Sequence, residues 1–206
     1  MNRMMLFLCL GTVALRGQTA SFSDPERPGT VKIRQANGSI TVRGHSGKNV
    51  LIESRVAARV SEDGNRMTIE SREGSAITVK VPLETSLQLN ATNGSIVVEK
   101  VLGELDVQST NGSIVLRGVE GAVVAHSQNG SITVTFDKVD PRRPMSFSSM
   151  NGKIDVTFPA DLKATLRAQA VRGQVHSDFD LPMNSGGPEI QFKNYNGGIY
   201  IRKARN

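Results

Sequence analysis

The chain has 206 residues, a formal net charge of +6, 4% aromatic residues and no tryptophan. This length suits one elongated domain behind a short leader. The basic residues are scattered, without the basic stripe and stacking aromatics by which proteins bind nucleic acids, so we expect no nucleic-acid partner. The one cysteine, Cys9, lies in the predicted leader, which excludes disulfides, cysteine-ligated zinc and thiol catalysis from a mature chain.

Residues 1–20 are predicted to be a secretory signal peptide. Arg3 precedes an uncharged, mainly apolar run from Met4 to Leu15, which is too short to span a bilayer but typical of a signal core. Ala20 is a candidate last residue of this leader, although the position two residues earlier lacks the small side chain that is preferred there. An uncleaved membrane anchor is the alternative. We expect an exported protein, in the periplasm, at the cell surface or outside the cell, with no transmembrane span in the mature chain.

Residues 21–30 are rich in proline and glycine and are predicted to form a short leading arm. Residues 31–206 are predicted to form one β-solenoid domain. In its first part, residues 31–91, strand-like segments follow one another at irregular spacing, although a first Asn-Gly-Ser-Ile motif begins at Asn37. We expect this part to cap the regular coils of residues 92–206, because a solenoid needs atypical ends that hide its open strand edges.

The stretch from Asn93 to Asp137 divides into five blocks of nine residues and is the most regular part of the chain. Glycine occupies the second place of every block, and an apolar residue or alanine occupies the fourth and sixth places. Side chains two places apart lie on the same face of a strand, whereas the mostly polar fifth and seventh places would face outward. Each block therefore predicts one short strand and one turn, and two blocks close a coil of eighteen residues. The core residues predicted in this way are Ile96, Val98, Leu105, Val107, Ile114, Leu116, Val123, Ile132, Val134, Ile154 and Val156.

The Asn-Gly pairs are predicted to be structural turns, since both residue types tolerate positive φ. The pair returns every eighteen residues in the regular stretch, and after twenty-two residues across an insertion from Asp137 to Met145. Stacked coils would align the asparagines, and we expect their amides to form a ladder like those of cross-β stacks. The predicted turn residues are Asn37, Gly38, Asn93, Gly94, Asn111, Gly112, Asn129, Gly130, Asn151, Gly152, Asn196 and Gly197.

These patterns predict an all-β protein, a single-stranded β-solenoid of the parallel β-helix or β-roll type with coils of eighteen to twenty-two residues. A hairpin meander is the competing interpretation, because Asn-Gly is also the strongest hairpin signal. Identical units at a fixed period favour the stacking of like on like. The last motif, at Asn196, is followed by Arg202, Lys203 and Arg205, which we expect to protect a terminal edge strand.

The chain resembles the bacterial "putative adhesin" family, formally a domain of unknown function. The resemblance rests on the repeated Asn-Gly-Ser-Ile turns, on the segment Ile77–Pro82 that leads into the repeats, and on the N-terminal signal. It covers residues from about Val31 to Ile201. The resemblance implies a right-handed β-solenoid on the envelope or outside the cell, and it brings no catalytic residues with it.

No metal site or cofactor is expected from the sequence. Calcium-binding nonapeptide coils share the nine-residue spacing, but they need an aspartate where this chain has aliphatic residues or alanine. The three histidines, His45, His126 and His176, form no metal-spaced pair and no triad signature. We expect them to be surface residues.

The favoured hypothesis is a non-catalytic binding or structural module of adhesin type, monomeric, whose partner is an envelope glycan or a surface protein. The break in period predicts that the loop Pro141–Pro144 projects from the stack, with Arg142 and Arg143 as candidate binding residues. A second surface is the half-apolar outward column that begins with Val97 and Val115.

Two other functions remain open at this point. A polysaccharide-active enzyme needs two carboxylates, and two acidic groups are close in sequence: Glu99 with Glu104 and Asp106, and Asp137 with Asp140. Neither group is flanked by aromatic platforms, and we predict no enzyme. A self-assembling envelope scaffold, built by stacking coil ends, is the third class.

Overall fold

The structure, a computed structural model, describes residues 16–55, 58–71, 74–140, 143–180, 183–184 and 186–205. These residues contain twenty β-strands and no helix. The strands are β1 (Arg16–Ser21), β2 (Thr30–Asn37), β3 (Ile40–His45), β4 (Asn49–Ser54), β5 (Arg59–Asp63), β6 (Arg66–Ser71), β7 (Ile77–Pro82), β8 (Ser86–Asn93), β9 (Ile96–Glu99), β10 (Leu105–Asn111), β11 (Ile114–Gly121), β12 (Val123–Asn129), β13 (Ile132–Val139), β14 (Met145–Asn151), β15 (Ile154–Phe158), β16 (Thr165–Arg172), β17 (Val175–Ser177), β18 (Met183–Asn184), β19 (Glu189–Asn196) and β20 (Ile199–Lys203).

The strands form two ten-stranded sheets that face each other across one core. The first sheet has the order β1-β4-β7-β3-β9-β11-β13-β15-β20-β17, and the second has the order β18-β16-β19-β14-β12-β10-β8-β2-β6-β5. Neighbouring strands are parallel throughout the middle of both sheets. Antiparallel pairs occur only toward the two ends of the described stack. The predicted all-β solenoid is confirmed, and the alternative of a hairpin meander is wrong for the repeats.

The regular coils stack in register. Ile114 lies opposite Ile96 on one side and Ile132 on the other, and in the second sheet Leu105 lies opposite Val123. Every predicted core residue lies in the interior and is at most 2% exposed. Each buried aliphatic side chain of this size is worth about 1.5–3 kcal/mol relative to the exposed state. The stack is therefore stabilised by continuous aliphatic columns that no single coil contains.

A layer of phenylalanines fills the core near the twenty-two-residue coil. Phe136 stacks on Phe158 with a centroid distance of 5.1 Å, and Phe147 stacks on Phe192 at 5.2 Å. Edge-to-face contacts at 6.3 Å join the two pairs. The four additional residues of this coil thus accompany a local change from aliphatic to aromatic packing.

The order of the coils along the stack differs from their order in the sequence. β2 lies between β6 and β8, and β3 lies between β7 and β9. The first motif copy, at Asn37, therefore packs directly against the coil of Asn93. The outer end of the stack is built by β4 to β7, which follow later in the chain, together with β1.

A similar exchange occurs at the other end, where β16 and β17 are outside β19 and β20. The expectation that the last motif copy forms a terminal edge is wrong. β20, which carries Arg202 and Lys203, is hydrogen-bonded on one side to β15 and on the other to β17. The reason is that the chain forms β16 and β17 first, at the end of the stack. It then returns and inserts β19 and β20 between these strands and the preceding coil.

The N-terminal region contributes a strand where the leader was predicted to end. β1 pairs antiparallel with β4 over six residues, so a boundary after Ala20 would fall inside a paired strand. Residues 1–15, including Cys9, lie outside the described residues, and the signal peptide stays a prediction. The following arm is held in place by Phe22, which is buried against Gly29, and by Asn65, whose amide hydrogen-bonds to backbone groups of the arm.

The predicted asparagine turns form a continuous amide ladder along one corner of the stack. Asn111 donates to Asn93 and accepts from Asn129, with N···O distances of 2.9 Å. The ladder continues in both directions with distances of 2.8–2.9 Å. Six asparagines take part: Asn37, Asn93, Asn111, Asn129, Asn151 and Asn196.

The glycine after each asparagine is required by the close approach of successive coils. A Cβ atom at Gly112 would overlap the carbonyl oxygen of Gly94, and one at Gly130 would overlap that of Gly112. Gly38 also has a φ of 114°, which few other residues adopt. The inward hydroxyls of Ser109, Ser127 and Ser149 lie 3.1–3.4 Å from these turn carbonyls and donate hydrogen bonds to them.

Gly112→Ala is expected to destabilise the fold by about 1–3 kcal/mol, because the methyl group must push two coil backbones apart. Thermal unfolding measures the effect. Gly17→Ala is the matched control, since a Cβ there meets no atom within 4 Å. If Gly112→Ala unfolded at the same temperature as Gly17→Ala, the close-approach explanation would be wrong.

Asn129→Ala removes two ladder hydrogen bonds, whereas Asn196→Ala removes only the one that it donates to Asn151. At about 0.5–1.5 kcal/mol for each bond, the interior variant should lose about 1–3 kcal/mol and the end variant about half of that. Urea unfolding of both variants measures the difference. Equal losses would show that the ladder adds nothing beyond the individual turns.

Candidate binding face

The outward surface of the second sheet carries a short apolar strip near one end of the stack. Met150 on β14, Tyr195 on β19 and Val171 on β16 are neighbours across three adjacent strands. They are 49%, 46% and 58% exposed. All three positions alternate with inward residues along their strands, so the parallel register brings them together. We call these three residues the apolar strip.

A polar row runs beside the apolar strip on the same strands. His126, Ser148, Lys193 and Gln169 are opposite one another in the register of β12, β14, β19 and β16. The Ser148 hydroxyl and His126 Nδ1 lie 2.7 Å apart and share a hydrogen bond. The row and the strip together line a shallow groove with a volume of about 300 Å³. The groove thus has an apolar side and a hydrogen-bonding side.

The groove is positively charged. The Arg172 guanidinium carbon lies 5.5 Å from the centroid of the Tyr195 ring, a cation–π contact worth about 0.5–1 kcal/mol at an exposed site. Neither Lys193 nor Arg172 forms an ion pair with any other residue that the structure describes. Within the described part of the chain, no aspartate or glutamate lines this groove. Lys193 lines the groove and Arg172 lies at its margin over Tyr195, and neither has a counter-charge among the described residues.

The outward surface of the first sheet contrasts with this groove. Val97 and Val115 stand next to each other as predicted, but both are half-buried. Glu99 beside them accepts from Arg43 at 3.0 Å and from Arg117 at 3.3 Å. These charges satisfy one another, and each exposed pair is worth about 0–1 kcal/mol.

Another group of ion pairs on the first sheet involves Asp155 on β15 and Arg202 on β20. Arg202 Nε donates to Asp155 Oδ1 at 2.8 Å, and this hydrogen bond raises the pKa of the Arg202 guanidinium above its usual value. Lys153 also lies 3.3 Å from Asp155. The acidic side chain is thus already engaged by the protein's own cations.

The predicted insertion loop is shorter than the sequence indicated. Residues 137–139 continue β13 and pair with β11, and Met145, which is buried, already begins β14. Arg143 forms an ion pair with Glu104, with an N···O distance of 2.7 Å, across the intervening coil. Arg142 lies outside the described residues. The Arg143 side chain thus folds back along the second sheet, where Glu104 balances its charge.

Of the acidic residues that an enzyme would need, Glu104 and Asp106 line one groove of the second sheet, and Glu99 does not join them. Glu99 lies on the outer surface of the first sheet and Asp106 on that of the second, with the core between them. Glu104 is held by Arg143. Among the residues that the structure describes, no group of three or more His, Cys, Asp or Glu side chains could hold a metal ion.

The remaining histidines make contacts of a structural kind. His45 accepts at Nδ1 from the Gly47 backbone N–H, so its Nε2–H donates to the Asn49 carbonyl at 2.9 Å. His176 stacks on Tyr200 with a centroid distance of 5.0 Å.

In the described part of the chain, no helix is long and apolar enough to cross a membrane.

Comparison with known families agrees with this architecture. The model of the Toastrack DUF4097 family matches residues 80–191, which is more than half of the chain. The chain belongs to the Toastrack DUF4097 family. The matched region begins within β7 and ends within β19, and it contains the regular coils from Asn93 to Asp137. Of the apolar strip it includes Met150 and Val171, whereas Tyr195 and Lys193 lie just beyond its end. The resemblance noted from the sequence motifs is thereby confirmed.

Two crystal structures of bacterial proteins share the Toastrack fold of this chain. One is a putative cell adhesion protein from Clostridium sporogenes, with 12% identity over 93% of this chain and 100% of that chain and a TM-score of 0.57. The other is a putative adhesin from Bacteroides fragilis, with 12% identity, coverage of 93% and 97%, and a TM-score of 0.50. At this identity the likeness shows the fold alone. No curated protein matches the chain.

Proposed function

We propose that this Toastrack-family protein is an exported, non-catalytic binding module of adhesin type, and that the groove on its second sheet contacts the partner. The observation that carries the proposal is the apolar strip. Met150, Tyr195 and Val171 form a contiguous exposed apolar surface on the second sheet, and such surfaces mark interaction sites. The two similar crystal structures, both described as adhesion proteins, support the same class.

Export to the periplasm, the cell surface or the medium is part of this proposal. It is supported by the predicted leader, whose apolar core ends before β1 begins at Arg16. An envelope glycan or a surface protein is the partner that such a location would offer. The lining of the groove supports binding rather than catalysis. His126 and Ser148 have no described carboxylate beside them in the groove, so the third member of a catalytic triad is not among the described lining residues.

We propose that the protein is a monomer, and the construction of its ends supports this. At one end the outermost strand of the second sheet, β5, carries the exposed charges of Arg59, Glu62 and Asp63. At the other end the outermost strand of the first sheet, β17, is only three residues long. Charged or very short edge strands are the devices that prevent edge-to-edge pairing.

The double variant Tyr195→Ala, Val171→Ser is expected to lose binding to envelope fractions at least about 10-fold, because it removes most of the apolar contact. A pull-down with the full chain on fractionated bacterial envelopes measures the effect. The control is Val97→Ser, Val115→Ser, which reduces apolar surface on the opposite face. Circular dichroism verifies that both variants are folded. Equal binding by the two double variants would contradict the proposed face.

The candidate binding residues Arg142 and Arg143 remain a proposal; Arg143 lies on the outer surface of the second sheet beside Glu104. Deleting residues 137–145 would remove paired residues of β13 and the buried Met145, so substitutions are the better test. Arg142→Ala, Arg143→Ala should weaken envelope binding several-fold, with a smaller dependence on salt than the wild type. The control Glu104→Ala frees Arg143 from its ion pair and should not weaken binding. Unchanged binding by the arginine variant would remove the loop from the site.

A further inference from the structure

We propose that the groove binds a carboxylate-bearing saccharide, with a sugar ring against the apolar strip and the carboxylate at Lys193. This inference rests on the proposed function and names the ligand class for the same face. It is carried by three properties of the groove: unbalanced positive charge, an apolar side beside a hydrogen-bonding side, and small size.

The charge argument comes from how the other cations of the second sheet are used. Three of them have an acidic partner: Arg34 pairs with Glu70, Arg143 with Glu104, and Arg167 with Glu189. Lys193 and Arg172 have none among the described residues, and both border the apolar strip. A ligand with a negative charge would supply the counter-charge for these two cations.

The two-sided lining matches the two-sided chemistry of a sugar. A pyranose ring has a C–H face, which packs on aromatic and aliphatic side chains, and a rim of hydroxyls. Tyr195 and Val171 offer the apolar contact, while Ser148 and Gln169, in the neighbouring row, offer hydrogen-bonding groups. Since adjacent strands are about 4.8 Å apart, the three-stranded strip is on the order of 10 Å long. This length suits one or two sugar rings.

The size of the groove argues against a second copy of this chain as the occupant. Its volume of about 300 Å³ is at the lower end of small-molecule sites. A stable protein interface needs about 800 Å² from each partner, far more than three half-exposed side chains offer. A two-fold dimer whose axis passes through the groove would also place Lys193 and Arg172 near the same cations of its partner. A small anionic ligand avoids both difficulties.

The test is isothermal titration calorimetry of the full chain with three acidic probes: trigalacturonate, a hyaluronan tetrasaccharide and sialyllactose. At least one should bind, and its methyl ester should bind about 10-fold more weakly or worse, because the charged hydrogen bond is lost. Lys193→Met should weaken binding of the acid to a similar extent and leave the ester unchanged. A shift of the Met150 methyl resonance on binding would locate the ligand in the groove.

Lys32→Met is the matched control, because Lys32 lies on the outer surface of the same sheet at β2, five strands from β19. This variant has the same net charge as Lys193→Met and should bind the acidic probe like the wild type. Equal weakening by both variants, equal binding of acid and ester, or equal affinity for a single-stranded oligodeoxynucleotide of matched charge would each overturn the proposal.

The outcomes also separate this inference from the proposed function. If none of the three acidic probes binds while Tyr195→Ala, Val171→Ser still abolishes envelope binding, the ligand class is wrong and the binding face stands. If the wild-type chain binds neither probes nor envelope fractions, the proposed function itself fails.

Discussion

The close approach of successive coil backbones at the Asn-Gly corner is the constraint on which the rest of this structure depends. Gly112 and its equivalents in the regular coils lie very near the carbonyl oxygen of the corresponding glycine one coil earlier. No side chain fits between them. The asparagine before each glycine then bonds to its neighbour, so the corner holds the coils at one spacing and one register. With the corner in register, the aliphatic columns of the core align as well.

The same register organises the outer surfaces. Because the strands are parallel and aligned, outward positions from different coils form rows that run along the stack. On the first sheet such rows contain interlocking charges, as at Glu99 between Arg43 and Arg117. On the second sheet they gather Met150, Tyr195 and Val171 beside two cations that have no acidic partner among the described residues. A binding face can therefore be built by outward residues alone, without changing the core.

The ends of the stack show how a repeat chain avoids an open edge. At the N-terminal end β4 to β7 lie outside β2 and β3, and at the C-terminal end β16 and β17 lie outside β19 and β20. Antiparallel strands, charges and a three-residue edge strand finish the two sheets. The regular coils in between keep their repeats intact because the irregular segments perform the capping.

The sequence by itself determined the local features of this protein: short strands, Asn-Gly corners, and the inward residues from Ile96 to Val156. These follow from period and turn chemistry, which act within a few residues. Only the tertiary structure decided which coils are neighbours, since excursions such as residues 49–82 can return to either side of a coil. It also decided the candidate site, because Met150, Val171 and Tyr195 are far apart in the chain and meet only through the strand order. Neither their spacing nor their residue types marked them beforehand, whereas Arg143, which the sequence favoured, is engaged by Glu104 through a contact that no local pattern could reveal.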